Sequence, residues 1–438
     1  MIKNVKFKRF KEEGVEMEQM IIDKEKLQRN IPVLFVFSFF WLSMVILPVI
    51  VPFFASKGLS LTQVYYLQAI FASVVVICEI PSGYIADVVG RKNALVAGSL
   101  FHGIGFSLLY FVDDFAGLVL FEAMLGIGLS LLSGADLSLL YDSQHALRQS
   151  PAEKTRGIAN MRFAKSIGEG GAALLGGFLI AFSFDVTVIV NAVFGWIPLL
   201  LTLLLVEPPF QKMKSNKHLN NMKEVVQHLF FQDRLLQLIC LNITFFGLAT
   251  FYVVWMLQPY WQDQGIPLTA FGALWAAFSI LVALSSKFSM SMEKKIGTRN
   301  ILLLMGVLPL VGYFGMAGAG GWLGIILCSG FFISRGINQV VLTDALNSRV
   351  PSRFRATANS MTSFMFRGIY IVTGPIVGLL IEKLGMQTTL GLLGGVVIIL
   401  IVLYLLPLLR EVGLIRDVDD VSCANPAINT QLFKPTAD

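Results

Sequence analysis

The sequence has little charge and few of the residue types that build metal, disulfide or nucleotide sites. Asp, Glu, Lys and Arg together make up only 14% of its 438 residues, and a soluble protein with so apolar a surface would aggregate. The residues that most often bind metals or form disulfides stand singly, without ligand spacing: Cys78, Cys240, Cys328, Cys423, His102, His145, His218 and His228. We therefore expect no disulfide framework, no metal site and no cofactor.

Nucleotide-driven and enzymatic functions are disfavoured by what is missing. The sequence contains no Walker-type glycine-rich loop, and no segment outside its apolar runs is long enough to form an ATP-binding domain. It also lacks the convergent set of catalytic side chains that an intramembrane enzyme needs. We therefore expect a protein that is not an enzyme.

Apolar residues are what the sequence has in abundance. They make up 55% of the chain, and phenylalanine alone accounts for 35 positions. A helix needs about 20 mainly apolar residues to cross a bilayer, and the runs are too long and too continuous for the strands of a barrel. Because lipid cannot satisfy backbone polar groups, helices remain as the option. We predict twelve transmembrane helices, spans 1 to 12, over residues 31–55, 62–86, 94–112, 116–140, 158–182, 187–206, 235–257, 269–290, 300–318, 322–345, 358–382 and 387–409.

Positive residues are distributed unevenly between the two sides of the predicted membrane. With an even number of spans both termini share a side, and the 1–30 tail alone carries eight Lys or Arg residues. The loops on the opposite side hold only Lys57 and Lys383. Since positively charged loops stay in the cytoplasm, both termini are predicted to be cytoplasmic. The same skew accounts for the net charge of +6, which therefore gives no reason to expect a nucleic-acid partner.

A polar segment near the middle divides the chain into two halves. It begins with Glu207-Pro208-Pro209 and separates a predicted first bundle, 31–206, from a second, 235–409, with cytoplasmic tails at 1–30 and 410–438. Apolar residues at helical spacing within this 207–234 linker predict a short helix on the membrane surface, either a plain connector or a regulatory element. These residues are Met222, Val225, Val226, Leu229 and Phe230.

An internal repeat supports the division into halves. Residues 156–161 read Arg-Gly-Ile-Ala-Asn-Met and enter span 5, and residues 355–361 read Arg-Ala-Thr-Ala-Asn-Ser-Met and enter span 11. Gly177 and Gly378 then follow at similar distances. Repeats of this kind are typical of secondary transporters, which hold the substrate between two halves near the membrane midplane.

A charged turn joins spans 2 and 3. Residues 83–92 read Gly-Tyr-Ile-Ala-Asp-Val-Val-Gly-Arg-Lys, which resembles the loop between transmembrane helices 2 and 3 of major facilitator superfamily transporters. The resemblance covers residues 31–409 and implies an all-α membrane protein with twelve helices in two pseudo-symmetric six-helix bundles. It also implies a set of residues that latch the outward-facing state: Gly83, Asp87, Gly90, Arg91 and Lys92. The second half keeps only a remnant of the turn, at 292–299.

Ionisable residues inside spans cost roughly 2.5–3.5 kcal/mol each on insertion scales and are therefore functional candidates. Span 5 places Arg162, Lys165 and Glu169 on one helical face, with Glu169 near the membrane centre. Glu169 is a candidate for proton coupling, unless it forms a neutralising pair with Lys165. Glu79 precedes the charged turn, close to a proline, Pro81, that should kink span 2. It is either a coupling residue or a packing residue.

Span 4 carries Glu122 and, fourteen residues later, Asp136, which are predicted to lie almost on one face. Residues 122–128 resemble the superfamily's fourth-helix motif Arg-x-x-x-Gly-x-Gly, except that a carboxylate stands first. The proton-transfer role that the resemblance implies for the Arg therefore does not carry over. A carboxylate in an apolar cavity can itself bind and release a proton. Glu122 and Asp136 are thus proton-coupling candidates, with a structural hydrogen bond as the alternative for Glu122.

Spans 10 and 11 bring basic, amide and phenol side chains to one helical face each. Arg side chains only donate hydrogen bonds, so these residues suit an anionic or carbonyl-bearing substrate, or else a charged partner across the cavity. Together with two acids of the first half they form the set of substrate-binding candidates. The set is Glu122, Glu169, Arg335, Asn338, Gln339, Arg367 and Tyr370.

The sequence of span 5 bears on the direction of transport. Drug–proton antiporters of the superfamily carry Gly-x-x-x-Gly-Pro-x-x-Gly-Gly, and residues 168–177 keep its outer glycines but have Ala172-Ala173 in place of Gly-Pro. With the phenylalanine-rich spans 1 and 7, this favours proton-coupled export of small amphipathic organic compounds by alternating access. The alternatives are a proton-linked symporter that imports a nutrient or a metal-chelate, and a non-transporting sensor. We expect a monomer in a bacterial cytoplasmic (inner) membrane.

Overall fold

The computed structural model describes residues 24–208, 233–350 and 355–412. Within these ranges all regular elements are helices, and no strand is present. The surface helix predicted from Met222, Val225, Val226, Leu229 and Phe230 lies outside the described residues. So do most of the 207–234 linker and of the 1–30 and 410–438 tails.

The described residues form two compact units. Unit 1 holds residues 24–208 together with Ile266–Ser279 and Ile371–Gly378, and unit 2 holds the rest of the described chain. The division into bundles at 31–206 and 235–409 stays a prediction.

The first-half part of unit 1 is built from eight α-helices. They are α1 (24–41), α2 (Ile50–Ser56), α3 (Leu61–Val88), α4 (Arg91–Phe111), α5 (Phe115–Leu132), α6 (Ala135–Ala146), α7 (Pro151–Leu179) and α8 (Phe184–Leu203). Several begin at a side chain that accepts hydrogen bonds from the first-turn N–H groups. Ser60 and Ser150 do so in capping boxes at α3 and α7, and Asp114 does so at α5. α4 packs against both α5 and α8 and is the central helix of the group.

Span 1 is broken, whereas the sequence predicted one helix over 31–55. α1 ends at residue 41, and a short 3-10 helix, Leu47–Val49, then leads into α2. Pro48 and Pro52 lack the N–H that a continuous helix needs, which favours a restart here. The backbone N–H of Ile46, inside the break, donates a hydrogen bond to the buried Asn191 Oδ1 of α8 at 3.2 Å. A side chain therefore replaces the partner that the helix would have supplied.

Span 4 also contains a break. α5 ends at Leu132 and α6 begins at Ala135, with Gly134 between them in the left-handed conformation at φ 79°. Glycine adopts this conformation without the penalty that a Cβ brings. The prediction that Glu122 and Asp136 share one continuous helical face is therefore wrong, because they belong to different helices.

The helices that lie mainly in unit 2 include two π-helical turns. The α-helices are α9 (Arg234–Asp263), α10 (Leu268–Ile296), α11 (Thr298–Gly318), α12 (Gly321–Leu327), α13 (Ser329–Ile337), α14 (Thr343–Arg349), α15 (Arg355–Leu384), α16 (Met386–Leu400) and α17 (406–412). The π-helical turns are Asn338–Leu342, between α13 and α14, and Ile401–Leu405, between α16 and α17. Such turns are frequent at functional sites, and the first of them begins at a predicted substrate residue.

Ten helical segments among the described residues are long and apolar enough to cross a membrane, with α5–α6, α12–α14 and α16–α17 each counted as one segment. They correspond to all predicted spans except 1 and 5. Span 1 is broken, and α7, which forms span 5, carries the three ionisable residues Arg162, Lys165 and Glu169. Large apolar side chains face outward, such as Phe111, which is 76% exposed, as expected where lipid is the surrounding solvent. The chain is an all-α integral membrane protein.

Candidate functional site

The charged turn joins α3 to α4 and depends on one glycine. α3 ends at Val88 and α4 begins at Arg91, and Gly90 lies between them at φ 115° and ψ 151°. Only glycine adopts this conformation readily. Gly90 is also crowded, because a Cβ there would lie 3.1 Å from the carboxylate carbon of Glu207. The motif glycine is therefore needed both for its conformation and for space.

Glu207, which follows α8 in the chain, caps the first turn of α4. One carboxylate oxygen accepts a hydrogen bond from the backbone N–H of Arg91 at 2.9 Å, and the other accepts from that of Lys92 at 2.7 Å. First-turn N–H groups have no partner within their own helix, and the negative charge suits the positive end of the helix dipole. The sequence-based set misses Glu207, because this residue opens the predicted linker.

The Arg91 side chain joins α4 to α6. Its guanidinium forms an ion pair with Asp142 and donates a hydrogen bond to the carbonyl oxygen of Ser138 at 3.0 Å. The two charged side chains are 20% and 19% exposed, so solvent screens the pair only in part. Arg91, Asp142 and Glu207 are called the unit 1 clamp below, since together they fasten α4 to α6 and to the end of α8.

A second tie lies at the same end of unit 1. Asn30 of α1, which is fully buried, accepts a hydrogen bond from the backbone N–H of Val206 at 2.9 Å and donates to its carbonyl oxygen at 2.8 Å. The same amide nitrogen donates to Ser143 Oγ at 3.0 Å. The ends of α1, α6 and α8 are therefore held together beside the clamp.

The other latch residues occupy different surroundings. Gly83 is exposed on α3, and Lys92 is half-buried in the first turn of α4. Asp87 lies in the last turn of α3, and its side chain is outside the described part of the chain. The latch role of the set stays a prediction.

Glu122 is buried in α5 with an amide partner. Its side chain is 3% exposed, and Oε1 accepts a hydrogen bond from Nε2 of Gln68 in α3 at 2.7 Å. Gln68 is itself 7% exposed. Among the described residues no Lys, Arg or His forms an ion pair with Glu122. A carboxylate in such surroundings has lost most of its hydration without gaining a counter-charge.

Asp136 is an ion-pair partner of Lys165. Lys165 Nζ donates to Asp136 Oδ2 at 2.7 Å, and the backbone N–H of Leu137 donates to Asp136 Oδ1, also at 2.7 Å. The structure thus pairs Lys165 with Asp136 of α6 instead of Glu169 of its own helix. The break at Gly134 explains this, because it places Asp136 in the first turn of α6, which packs against α7.

The remaining acids of the first half are less enclosed. Glu169 of α7 is half-buried and accepts a hydrogen bond from Ser279 Oγ at 3.1 Å. Glu79 is half-buried on α3, which continues through Pro81 to Val88. Arg162 is exposed on α7. The structure therefore does not gather the predicted coupling acids into one cluster.

Arg335 and Asn338 both contact α9 in unit 2. Arg335 donates from Nη2 to the carbonyl oxygen of Thr250 at 2.6 Å, and Asn338 donates from Nδ2 to the carbonyl oxygen of Ile243 at 3.2 Å. The buried Oδ1 of Asn338 has no hydrogen-bond partner among the described residues. Gln339 is exposed, whereas Asn338, at the start of the π-helical turn, is buried.

Tyr370 lies in an aromatic group between α9 and α15. Its ring stacks on Tyr252 at 5.8 Å between centroids and meets the ring of Phe251 edge-on at 5.0 Å. Phe251 also contacts Phe366 edge-on at 5.3 Å. Arg367 is half-buried on α15 and donates to Ser363 Oγ at 3.4 Å. Unit 2 thus brings an arginine, an amide and a set of aromatic rings onto α9.

The outer glycines of the exporter-type motif let α7 approach α1 and the break that follows it closely. A Cβ on Gly168 would clash with the carbonyl oxygen of Phe39, and one on Gly176 would clash with that of Val45. Small residues serve this purpose in many membrane helices. Among the described residues, no group of three or more His, Cys, Asp or Glu side chains could hold a metal ion.

Comparison with known proteins gives a family and a fold. The family model of the Major Facilitator Superfamily matches residues 33–371. In Bacillus subtilis (strain 168), the uncharacterized MFS-type transporter YxaM is 24% identical over 368 residues, which cover 82% of this chain and 90% of that protein.

Solved structures of transporters have the same fold. A point mutant of the nucleoside transporter NupG gives a TM-score of 0.73 at 15% identity and covers 86% of this chain and 99% of its own. The peptide transporter POT in complex with sulfate gives a TM-score of 0.68 at 14% identity, with 87% and 94% covered. At these identities the likeness concerns the fold alone.

Proposed function

Because the chain belongs to the major facilitator superfamily, and is therefore a membrane transporter and not an enzyme, we propose that it couples proton movement to the export of small amphipathic organic compounds. Transport proceeds by alternating access, in which a binding site opens to one compartment at a time. The observation that carries the proposal is the buried Glu122 carboxylate, hydrogen-bonded by Gln68.

Glu122 suits a proton carrier because of its surroundings. A charged carboxylate inside a membrane helix is costly, and a proton removes that cost. The amide of Gln68 gives the charged form one hydrogen-bond donor, so both protonation states have a means of stabilisation. Asp136 is less suited, because Lys165 already compensates its charge.

The substrate class is supported by the unit 2 residues on α9. Arg335 supplies a positive charge, and Asn338 supplies a buried amide oxygen that lacks a hydrogen-bond donor among the described residues. The rings of Phe251, Phe366 and Tyr370 are next to each other and offer apolar and π contacts. An organic compound with one apolar face and a few polar groups matches this combination.

The export direction is supported by Gly168 and Gly176, the outer glycines of the antiporter-type motif. Their close packing on the chain at Phe39 and Val45 requires glycine at both positions. The replacement of Gly-Pro by Ala172-Ala173 favours a second candidate, a proton-linked symporter that imports its substrate. Nucleosides and peptides, which two similar structures transport by name, belong in the substrate panel for both candidates.

Flux measurements in oriented membrane vesicles test the proposal. In inverted vesicles, whose cytoplasmic face is outside, an acid interior should drive uptake of exported compounds. The panel contains nucleosides, short peptides and amphipathic aromatic dyes. Glu122→Gln should remove the dependence of uptake on the pH gradient. Glu153→Gln, on the exposed first turn of α7, is the matched control and should retain it.

The same experiment distinguishes the rival functions. Uptake into right-side-out vesicles with an acid exterior would establish the symporter. Gradient-driven flux that persists in Glu122→Gln would contradict the role of Glu122 as the proton carrier. A complete lack of flux for the panel in both orientations would favour the non-transporting sensor.

We further propose that the protein acts as a monomer in a bacterial cytoplasmic membrane with both termini in the cytoplasm, as the distribution of Lys and Arg favours. Val89, within the charged turn, is 57% exposed and offers a labelling position. In a variant without the native cysteines, Val89→Cys should react with a membrane-impermeant maleimide in inverted vesicles only. Labelling of intact cells from outside would reverse the orientation.

A further inference from the structure

We propose that unit 2 contains a binding site for a small organic cation, one that bears a primary ammonium or guanidinium group. The site lies at the end of unit 2 that carries residues 293–299, called its turn end. The turn end of unit 1 carries residues 88–92. The two turn ends, each within its own unit, differ at residues other than the proton and substrate residues proposed above.

The helices that begin at the two turn ends start in the same way. Gly90 precedes α4 with φ 115°, and Gly297 precedes α11 with φ 84°. Neither conformation suits a residue with a Cβ. The residue after the glycine is Arg91 in unit 1 and Thr298 in unit 2.

The acids of the unit 1 clamp also have counterparts. Residues 139–142 read Leu-Leu-Tyr-Asp and residues 341–344 read Val-Leu-Thr-Asp. Glu207 follows the last helix of the first half, and Glu411 lies in α17, the last described helix of the second. The counterparts of Arg91, Asp142 and Glu207 are therefore Thr298, Asp344 and Glu411.

The turn end of unit 2 has a cavity where unit 1 has the Arg91 side chain. Thr298 is shorter than arginine, and its hydroxyl donates to Glu293 Oε1 at 2.7 Å. A cavity of about 170 Å³ lies beside it, lined among others by Glu293, Thr298, Leu302, Val341, Asp344 and Ser348. A single water needs only roughly 10–15 Å³. The cavity is therefore large enough for an organic group.

The charges in the lining favour a cation. Asp344, which is exposed at the edge of the cavity, corresponds to the acid that pairs with a guanidinium in unit 1, and among the described residues it forms no ion pair. Glu293 adds a second carboxylate. The basic residue of the lining, Arg349, donates to the carbonyl oxygen of Ala345 in its own helix at 3.1 Å. Leu302 offers an apolar contact to a short alkyl group.

The Glu411 carboxylate has a different kind of partner from the Glu207 carboxylate. It pairs with Arg234 Nε at 3.4 Å, whereas Glu207 caps α4. Leu408 and Val412, on either side of Glu411, line the cavity. The turn end of unit 2 thus keeps the helix start and the aspartate of the unit 1 clamp, and has Thr298 where the clamp has Arg91.

Two sources supply a group of this chemistry. One is a free amine or guanidinium compound in solution, and the other is the headgroup amine of phosphatidylethanolamine in the bilayer. Either makes a charge-assisted hydrogen bond with a carboxylate, so the site recognises the same group in both cases. The experiment must therefore separate the sources.

Calorimetric titration of the purified, delipidated full-length protein with methylguanidinium tests the site. The wild type should bind it, and Asp344→Asn should weaken binding at least about tenfold through the lost charge-assisted hydrogen bond. Thr298→Arg should abolish binding and raise the unfolding temperature, because the new guanidinium fills the cavity. Asp263→Asn, at the other end of α9, removes an exposed acid and should bind like the wild type.

Nanodiscs separate the two sources. Methylguanidinium should bind in discs of phosphatidylcholine and phosphatidylglycerol. Exchanging phosphatidylcholine for phosphatidylethanolamine should weaken binding several-fold if the lipid headgroup occupies the site, and change nothing if the ligand is a free cation. Either result supports the site. Equal binding by the wild type, Asp344→Asn and Thr298→Arg, no binding by the wild type, or binding of inorganic phosphate in place of methylguanidinium would overturn it.

Discussion

In unit 1 the helix that follows the charged turn starts against a carboxylate and an arginine–aspartate pair, whereas in unit 2 the corresponding helix starts beside a cavity. Both ends have a glycine of positive φ before the helix and an aspartate at corresponding positions, Asp142 and Asp344. The difference comes from Thr298 standing where unit 1 has Arg91, and from Glu411 pairing with Arg234. Two helix starts with the same kind of glycine can therefore be closed by side chains of the protein or lie beside a cavity.

The largest expected effect comes from Gly90→Ala. It should lower the free energy of unfolding by about 2–3 kcal/mol, because the backbone strain of such a conformation costs roughly 1–3 kcal/mol and the new Cβ displaces Glu207. Thermal and urea unfolding in detergent measure the change. Gly297→Ala, at a glycine with φ 84°, is the matched control and should cost about 1–2 kcal/mol from backbone strain. Equal losses of unfolding free energy in the two variants would show that the contact with Glu207 does not stabilise unit 1.

Glu207→Ala should have the next largest effect. Removal of the cap leaves the N–H groups of Arg91 and Lys92 without the carboxylate, at a cost of about 1–2 kcal/mol of stability, and the transport rate should fall with it. In unit 2, Glu411→Ala should cost less than about 0.5 kcal/mol, since Arg234 is 73% exposed and exposed pairs contribute little. A Glu411→Ala variant as damaged as Glu207→Ala would contradict the comparison.

Asp142→Asn should have a smaller effect, of about 1 kcal/mol, because the pair with Arg91 is partly screened by solvent. The loss should shrink as salt is raised from low to high concentration, which unfolding experiments at two ionic strengths can measure. Asp344→Asn should cost nothing in the absence of a ligand. A salt-independent loss in Asp142→Asn would indicate a packing defect and not a broken ion pair.

The smallest effect concerns the start of α7, the unit 1 copy of the internal repeat. Hydrogen bonds from the backbone N–H and the side chain of Ser150 lower the pKa of Glu153 from its ordinary value of 4.5. The stabilisation is therefore present above that value and is lost as the pH falls through the lowered pKa. Glu153→Gln should be slightly less stable than the wild type at pH 7, and the difference should vanish in acid. A constant difference across the pH range would exclude charge as its origin.

The helical membrane fold could be predicted from the sequence because lipid leaves few alternatives for long apolar runs. The breaks inside the spans were harder to predict from the sequence. Pro48 and Pro52 fit a transmembrane helix as well as a restart, and the choice depends on Asn191, which supplies the missing hydrogen-bond acceptor from another helix. Gly134 likewise becomes a break only in its left-handed conformation.

Side-chain partners were the least predictable part of the candidate site. Spacing within one helix suggested a pair of Lys165 with Glu169, but the partner is Asp136, which is 29 residues away in sequence. Gln68 was not predicted as the partner of Glu122, because nothing in the sequence shows which faces of two helices meet. Glu207 opens the predicted linker, and nothing in the sequence shows that its side chain reaches the first turn of α4.

The hydrogen bond from the Ile46 N–H to Asn191 ties the interrupted first span to α8. If the two segments slid apart, a peptide N–H would be stranded in hydrocarbon-like surroundings, at a penalty of roughly 1–3 kcal/mol. The segment around Ile46 and the middle of α8 should consequently move as one rigid body during the transport cycle, and the conformational change should occur in other parts of the protein.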